Sequence, residues 1–447
     1  MQLRTKVWTM LLAGVLSAAA SASGANAAEA PSRFGVDAPE LARLGELEVG
    51  YRTLHLVAHD QVDVLGFDPA TGNAPRRDRT LTVDLWYPAK PRAWQSAMVY
   101  RASLPSEPPA PPVSFSVRGI AVRDAPALPP SMAAGYPLVI VSHGYSNDPA
   151  AMTWLTENLA SKGYVVAAIR HDDPPITDRT RFAGPLLRRP LDIVFVADSL
   201  RRTLAHEKLI DPTRLALVGY SMGGYGVLAA AGATFDPEGP PTKMIPGDLL
   251  RPYVRGGPLQ DAMTVKGLLA VVAISPAGGG ALAAWGADGL LGITAPLLLI
   301  AGDSDRTVDY PSGAFAMFGM AKNAHRYLLT FKGAGHSIGL NPAPSAMRAR
   351  LWDEDWFEDP VWRKDRVNAI SAHFITAFLD VHVKGEADRA DYLDVAVAES
   401  SMGAWPVAVP APAYDAYSGG RGEVTLWKGF QRNHAAGLEL LQAAVAH

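Results

Sequence analysis

Leu215-Ala216-Leu217-Val218-Gly219-Tyr220-Ser221-Met222-Gly223-Gly224 is the stretch on which the reading of the whole chain turns. Leu215 to Val218 is an apolar run with no polar break, the pattern of a strand covered on both faces. Gly219-x-Ser221-x-Gly223 follows, and then the Leu/Ala-rich run Val227-Leu228-Ala229-Ala230-Ala231. A serine held between a buried strand and a helix sits on a sharp, strained turn, where strand and helix backbones close in on the flanking positions. Only residues without a Cβ fit there, which accounts for Gly219 and Gly223. The pattern predicts that the Ser221 hydroxyl stands at the carboxyl end of a sheet. It also predicts that the Met222 amide lies at a helix N-terminus, where its N–H has no internal partner.

A serine hydroxyl is a poor nucleophile at neutral pH. It needs a base, and the base needs an orienting acid. Ala295 to Gly302 is a second buried strand, and it runs into Asp303-Ser304-Asp305-Arg306-Thr307-Val308. Tyr327 to Phe331 is a third, ending in Lys332-Gly333-Ala334-Gly335-His336-Ser337. Each candidate therefore lies just past the carboxyl end of its own strand, where open parallel sheets build their sites. Upstream, Leu138 to Val141 leads into Ser142-His143-Gly144-Tyr145 in the same way.

On the elbow at Ser221, the order Ser…Asp…His and the His143-Gly144 turn, the chain resembles the α/β hydrolases. Within them it is most similar to the secreted serine esterases akin to dienelactone hydrolase and platelet-activating-factor acetylhydrolase. The resemblance runs through most of the chain and is strongest from Pro137 to Ser337. It implies an α/β-hydrolase fold, a mostly parallel sheet flanked by helices. It also implies a triad of Ser221, Asp305 and His336, with an oxyanion hole of the Tyr145 and Met222 backbone N–H groups, the two amides being assigned by position alone. Asp305 is preferred because the family's Gly-x-x-Asp turn falls on Gly302 and Asp305; Asp303 would then cap the turn, and Asp309 is a third candidate. Dienelactone hydrolases proper carry a cysteine at the elbow, and this chain departs from them by its serine. The implied activity is hydrolysis of small, lipid acetyl or polymeric carboxylic esters through an acyl-enzyme, with no cofactor and no metal. An amidase or peptidase on the same scaffold is an alternative, and so is a non-catalytic binding module, which reactivity with a fluorophosphonate would separate from an enzyme.

Composition agrees with a large buried core. The chain has 447 residues, 48% hydrophobic and 19% charged, enough for one large domain. A net charge of −3 and the lack of any Lys/Arg-rich run give no reason to expect a nucleic-acid partner. There is no cysteine, which excludes disulfides, thiolate metal ligands and a cysteine nucleophile. At the N-terminus, Arg4 and Lys6 precede a small and apolar stretch from Val7 to Ala22, and Ala25-Asn26-Ala27 fits a cleavage site. Residues 1–27 thus read as an export signal, too short and alanine-rich to span a membrane as an anchor. The expected mature chain begins at Ala28 and is periplasmic or extracellular. Without disulfides, its stability must come from packing.

The remaining expectations follow the chain. Leu47 to Leu56 and Thr80 to Tyr87 alternate as strands, with Leu81, Val83, Leu85 and Tyr87 on one face. Residues 103–137, rich in Pro, Ala and Ser, read as a loop inside the domain. Met152, Leu155 and Leu159 mark a helix that Gly163 stops, and Tyr164 to Ile169 mark a strand. His143 reads as a structural histidine. His171-Asp172-Asp173-Pro174 reads as a loop that caps backbone amides rather than a metal site. A helix is expected from Leu191. Residues 233–263 fit either a small cap over the site or a surface excursion. Residues 351–362, with Trp352, Trp356, Phe357 and Trp362, fit a wall beside His336 or a staple for a long loop. Val367, Ile370, Phe374, Ala377 and Val381 share one helix face, and residues 400–447 read as a C-terminal extension of the single domain 28–447.

Overall fold

The structure, a computed structural model, describes residues 34–130, 134–404, 424–431 and 434–446. The expected signal segment and Trp405, Tyr414 and Tyr417 lie outside the described residues. The strands are β1 (Glu48–Val62), β2 (Arg76–Ala89), β3 (Ala97–Leu104), β4 (Val113–Arg123), β5 (Tyr136–Ser142), β6 (Val165–Arg170), β7 (Ile210–Tyr220), β8 (Ala270–Ile274), β9 (Leu297–Gly302), β10 (Arg326–Phe331) and β11 (Leu438–Ala443). They form one sheet in the order β11-β10-β9-β8-β7-β5-β6-β2-β1-β4-β3. The six from β6 to β10 pair in parallel, and β2 and β11 close that block antiparallel on either side.

Among the described residues the four longest α-helices lie on the two faces: α1 (Thr153–Ser161), α2 (Ala183–His206), α3 (Met222–Ala230) and α4 (Lys364–Leu379). The period of two along each strand sorts the core. Ala216 and Val218 of β7 face α1 and α4, in a cluster with Leu155, Leu159, Ile370 and Phe374. Leu215 and Leu217 face α2 and α3, with Ile193, Leu200, Val227 and Leu228. Both faces are covered over the parallel block, so its strands carry apolar runs such as residues 138–141 of β5 and Ala270–Ile274 of β8.

The chain leaves β5 for β6 on one side, then returns past β5 to β7 on the other. The order in which strands are added thus reverses at β5 while all three stay parallel, and a crevice opens between the carboxyl ends of β5 and β7. Ser142 at the end of β5 is level with Gly219 of β7, so the His143 turn and the Ser221 elbow start side by side.

Three expectations change. Residues 103–137 are not all loop, because β4 lies within them and pairs with β3 as a hairpin outside β1. Helix α2 begins at Ala183, well before Leu191, and runs through Pro190. A proline there cannot donate to the carbonyl four residues back. That carbonyl, Leu186, accepts from the Tyr225 hydroxyl at 2.8 Å instead, so the helix continues. Residues 400–447 are more than an extension: β11 completes the sheet beside β10, and Trp427 and Phe430 pack on Phe374 of α4.

Candidate active site

The elbow has the strain its sequence demands. Ser221 sits at φ 53°, ψ −116°, outside the usual regions for an L-residue. It is held from β8, since its N–H donates to Ile274 O at 2.9 Å and its carbonyl accepts from Ala277 N at 3.0 Å. A Cβ on Gly223 would lie 1.9 Å from Ser142 O and 2.8 Å from His143 O, so the elbow and the His143 turn touch backbone to backbone. At Gly302 the same test gives 2.2 Å to Ala334 O, which packs the Asp305 turn against the His336 loop.

These contacts bring Ser221, His336 and Asp305 into one line. Ser221 Oγ is 3.0 Å from His336 Nε2, and His336 Nδ1 is 2.8 Å from Asp305 Oδ2. The other Asp305 oxygen accepts from the Thr307 and Val308 amides at 2.9 and 3.2 Å. Burial pushes the Asp305 carboxyl up, but His336 and these two amides outweigh it and hold the group below its ordinary value. An ionised Asp305 is acceptor-only, so His336 Nδ1 carries the proton and donates. His336 Nε2 is then left to accept from the Ser221 hydroxyl. Hydroxyl, imidazole and carboxylate so arranged can raise the nucleophilicity of the oxygen and store its proton.

The other two aspartates serve turns. Asp303 accepts from Gly333 N at 2.6 Å, and Asp309 accepts from Ser312 N at 3.4 Å. The Tyr145 and Met222 amides flank the crevice from the β5 turn and the start of α3, and neither has an acceptor among the described residues. His143 is buried. Its Nε2 accepts from His171 N at 3.2 Å, which puts the proton on Nδ1, and Nδ1 donates to Gly144 O at 2.7 Å. Desolvation holds this imidazole neutral, with a pKa well below the usual value. Asp173 accepts from Ser146 N at 3.0 Å, the amide cap expected of its loop. Among the described residues no cluster of His, Asp and Glu could hold a metal ion. None of the described helices is long and apolar enough to cross a membrane.

Several supporting residues were not visible as such in the sequence. The Tyr220 ring stacks on His336 with centroids 5.4 Å apart, and its hydroxyl donates to His336 O at 3.2 Å. Asp359 accepts from Gly335 N at 2.7 Å, and the Lys364 ammonium donates to Ser337 O. Residues 351–362 act mainly as a staple. Phe357 packs edge-on against Phe115 of β4, Trp362 against Phe331, and Trp356 Nε1 donates to Pro105 O at 3.2 Å. In 233–263, Ile245, Leu250, Val254 and Met263 join the core beside α2 and α3, and Phe235 stacks on Trp285 at 5.2 Å.

A PET hydrolase-like family model matches residues 127–236, the segment that holds β5, the His143 turn, β7 and the elbow. The sheet order and the Ser221–His336–Asp305 line agree with this match. The chain has the α/β-hydrolase fold. Cutinase est2 of Thermobifida alba is 35% identical over 96 residues, 22% of this chain and 30% of the cutinase. Bis(hydroxyethyl) terephthalate hydrolase of Streptomyces coelicolor is 34% identical over 93 residues, 21% and 27% of the two chains. The matched region thus spans about a third of the length of the curated relatives. Among solved structures, a ferulic acid esterase from Streptomyces cinnamoneus is 21% identical with a TM-score of 0.49, covering 78% of this chain and 94% of that one.

Proposed function

We propose that this α/β hydrolase is an exported carboxylic-ester hydrolase that works through an acyl-enzyme on Ser221. The observation that carries the reading is the unbroken hydrogen-bonded line from Ser221 Oγ through His336 to Asp305, 3.0 and 2.8 Å long. In the proposed mechanism Ser221 Oγ attacks the ester carbonyl carbon while His336 Nε2 takes its proton. Asp305 keeps the imidazole in the accepting tautomer and stabilises the imidazolium that forms. Negative charge gathers on the former carbonyl oxygen, and the Tyr145 and Met222 N–H groups receive it. His336 returns the proton to the departing alcohol, and a water, activated the same way, frees the acid. The machinery calls for no cofactor and no metal.

Similarity to cutinases and to a terephthalate-ester hydrolase, with the PET hydrolase-like match over residues 127–236, supports polyesters and aromatic esters as substrates. A panel of p-nitrophenyl esters graded by acyl length, with a polyester film beside it, tests the reading. Turnover that is lost by about 10⁴-fold or more in Ser221→Ala supports it. Turnover unaffected by that change would overturn it. Export rests on residues 1–27, and N-terminal sequencing of secreted material should return a start within a residue or two of Ala28.

A further inference from the structure

We propose that the buried Arg189–Asp173 ion pair is the positioning device of the oxyanion hole, fixing both peptide planes that flank Tyr145. The inference rests on the reading of the Tyr145 N–H as an oxyanion donor.

A trans peptide ties its carbonyl and its N–H to opposite sides of one rigid plane. The Tyr145 N–H shares its plane with Gly144 O. Whatever grips Gly144 O from behind therefore aims the Tyr145 N–H to the front. Arg189 Nη2 donates to Gly144 O at 3.0 Å, and its Nη1 donates to His143 O at 2.5 Å and Ser142 Oγ at 3.1 Å. One planar fork thus holds the three residues before Tyr145. The next plane carries Tyr145 O and Ser146 N, and Ser146 N donates to Asp173 Oδ2 at 3.0 Å. Asp173 in turn pairs with Arg189, whose Nε lies 3.2 Å from Asp173 Oδ1 and whose Nη2 donates to Oδ2. The two side chains are almost wholly buried, at 1% and 4% exposure, so solvent cannot substitute for either.

The device has something to prevent. Gly144 carries no Cβ, so rotation of its peptide is sterically cheap. A rotation of about half a turn would replace the donor by a carbonyl oxygen facing the developing negative charge. His143 Nδ1 and Asn147 N also donate to Gly144 O, at 2.7 and 3.3 Å, but both belong to the turn itself and move with it. Arg189 and Asp173 come from α2 and from the loop after β6, and they tie the turn to the body of the fold. Lysine cannot reproduce the fork, since a point ammonium has no fixed planar spread of donors.

The test compares Arg189→Lys and Asp173→Asn with the unaltered chain in three measurements. These are ester kcat and KM, inhibition by a tetrahedral boronic acid, and the rate at which a fluorophosphonate phosphonylates Ser221 with loss of fluoride. A misaimed donor removes stabilisation that exists only in the transition state. The expected result is a fall in kcat of about 10- to 100-fold with KM within about threefold, and a matching loss in boronate affinity and phosphonylation rate. Rates are taken per folded molecule, counted by end-point labelling of Ser221. Asp173→Asn keeps the shape of its site and covers the case in which Arg189→Lys does not fold. Unchanged kcat, boronate affinity and phosphonylation in either folded variant would overturn the proposal, as would a change in melting temperature alone. Phosphonylation needs no ester, so the pair is judged even if the unaltered chain turns over no ester, a result that would instead count against the esterase reading.

Discussion

If the proposed mechanism holds, replacing Asp305 by asparagine should nearly abolish ester turnover, while the same change at Asp303 should leave it intact. Asparagine keeps the size of the side chain, but one of its two terminal atoms becomes a donor. Asp305 Oδ1 faces the Thr307 and Val308 N–H groups at 2.9 and 3.2 Å, so the amide oxygen must take that side. The NH₂ group then points at His336 Nδ1, 2.8 Å away in the unaltered chain. Nδ1 has to become an acceptor, the proton moves to Nε2, and Nε2 can no longer take the proton of Ser221. A change of this kind in serine proteases lowers kcat by about 10⁴-fold, or about 5.5 kcal/mol in barrier height. Asp303 sits differently. Its Oδ1 accepts from Gly333 N at 2.6 Å, and an asparagine oxygen can do the same. What Asp303→Asn loses is the charge on one bond, worth about 1 kcal/mol of stability. The assay is kcat on one activated ester, with the melting temperature of both variants. If Asp303→Asn is the inactive protein, or if Asp305→Asn keeps kcat within about tenfold, the tautomer account is wrong.

Three further outcomes follow from the packing. Gly223→Ala would drive a Cβ to 1.9 Å from Ser142 O, so it should cost about 3 kcal/mol or more and abolish activity; thermal unfolding at near-normal temperature would contradict the backbone contact. Trp427→Ala should cost about 3 to 5 kcal/mol in a denaturant titration, because Trp427 is buried against Phe374 and Phe430; a loss under about 1 kcal/mol would mean the C-terminal segment is not part of the core. Burial pushes the Lys364 ammonium down to about 7, below its value in the unfolded chain. Between pH 7 and about 10 the unfolded chain therefore holds the extra proton, and stability rises with pH across that window. Lys364→Met should flatten that rise, and an unaltered slope would refute the assignment.

The elbow was legible in the sequence because its physics is local. A buried strand, a serine and two glycines two positions away on either side admit few other readings, and in the structure Ser221 sits at φ 53°, ψ −116° between β7 and α3. Asp305 and His336 were legible as strand-end residues, though the choice of Asp305 over Asp303 came from resemblance, since spacing alone cannot say which carboxylate faces a loop more than thirty positions away. The β4 strand was hidden by the prolines on its N-terminal side, which outweighed the alternation through Val113, Phe115 and Val117. Pro190 masked the start of α2 because the compensating donor, Tyr225, lies on another helix. The Arg189–Asp173 pair was hidden for the same reason. Its meaning lies in which carbonyl and which amide it touches, and those contacts join residues distant in the chain.

The proposed mechanism requires that Ser221 become acylated during turnover. The measurement is the intact mass of the protein quenched in acid while it hydrolyses an activated ester, followed by peptide mapping. The expected result is a population heavier by one acyl group, with the added mass on the peptide that contains Ser221, and no such population in Ser221→Ala. Steady turnover with no acylated protein, or an acyl group carried on any other residue, would contradict it.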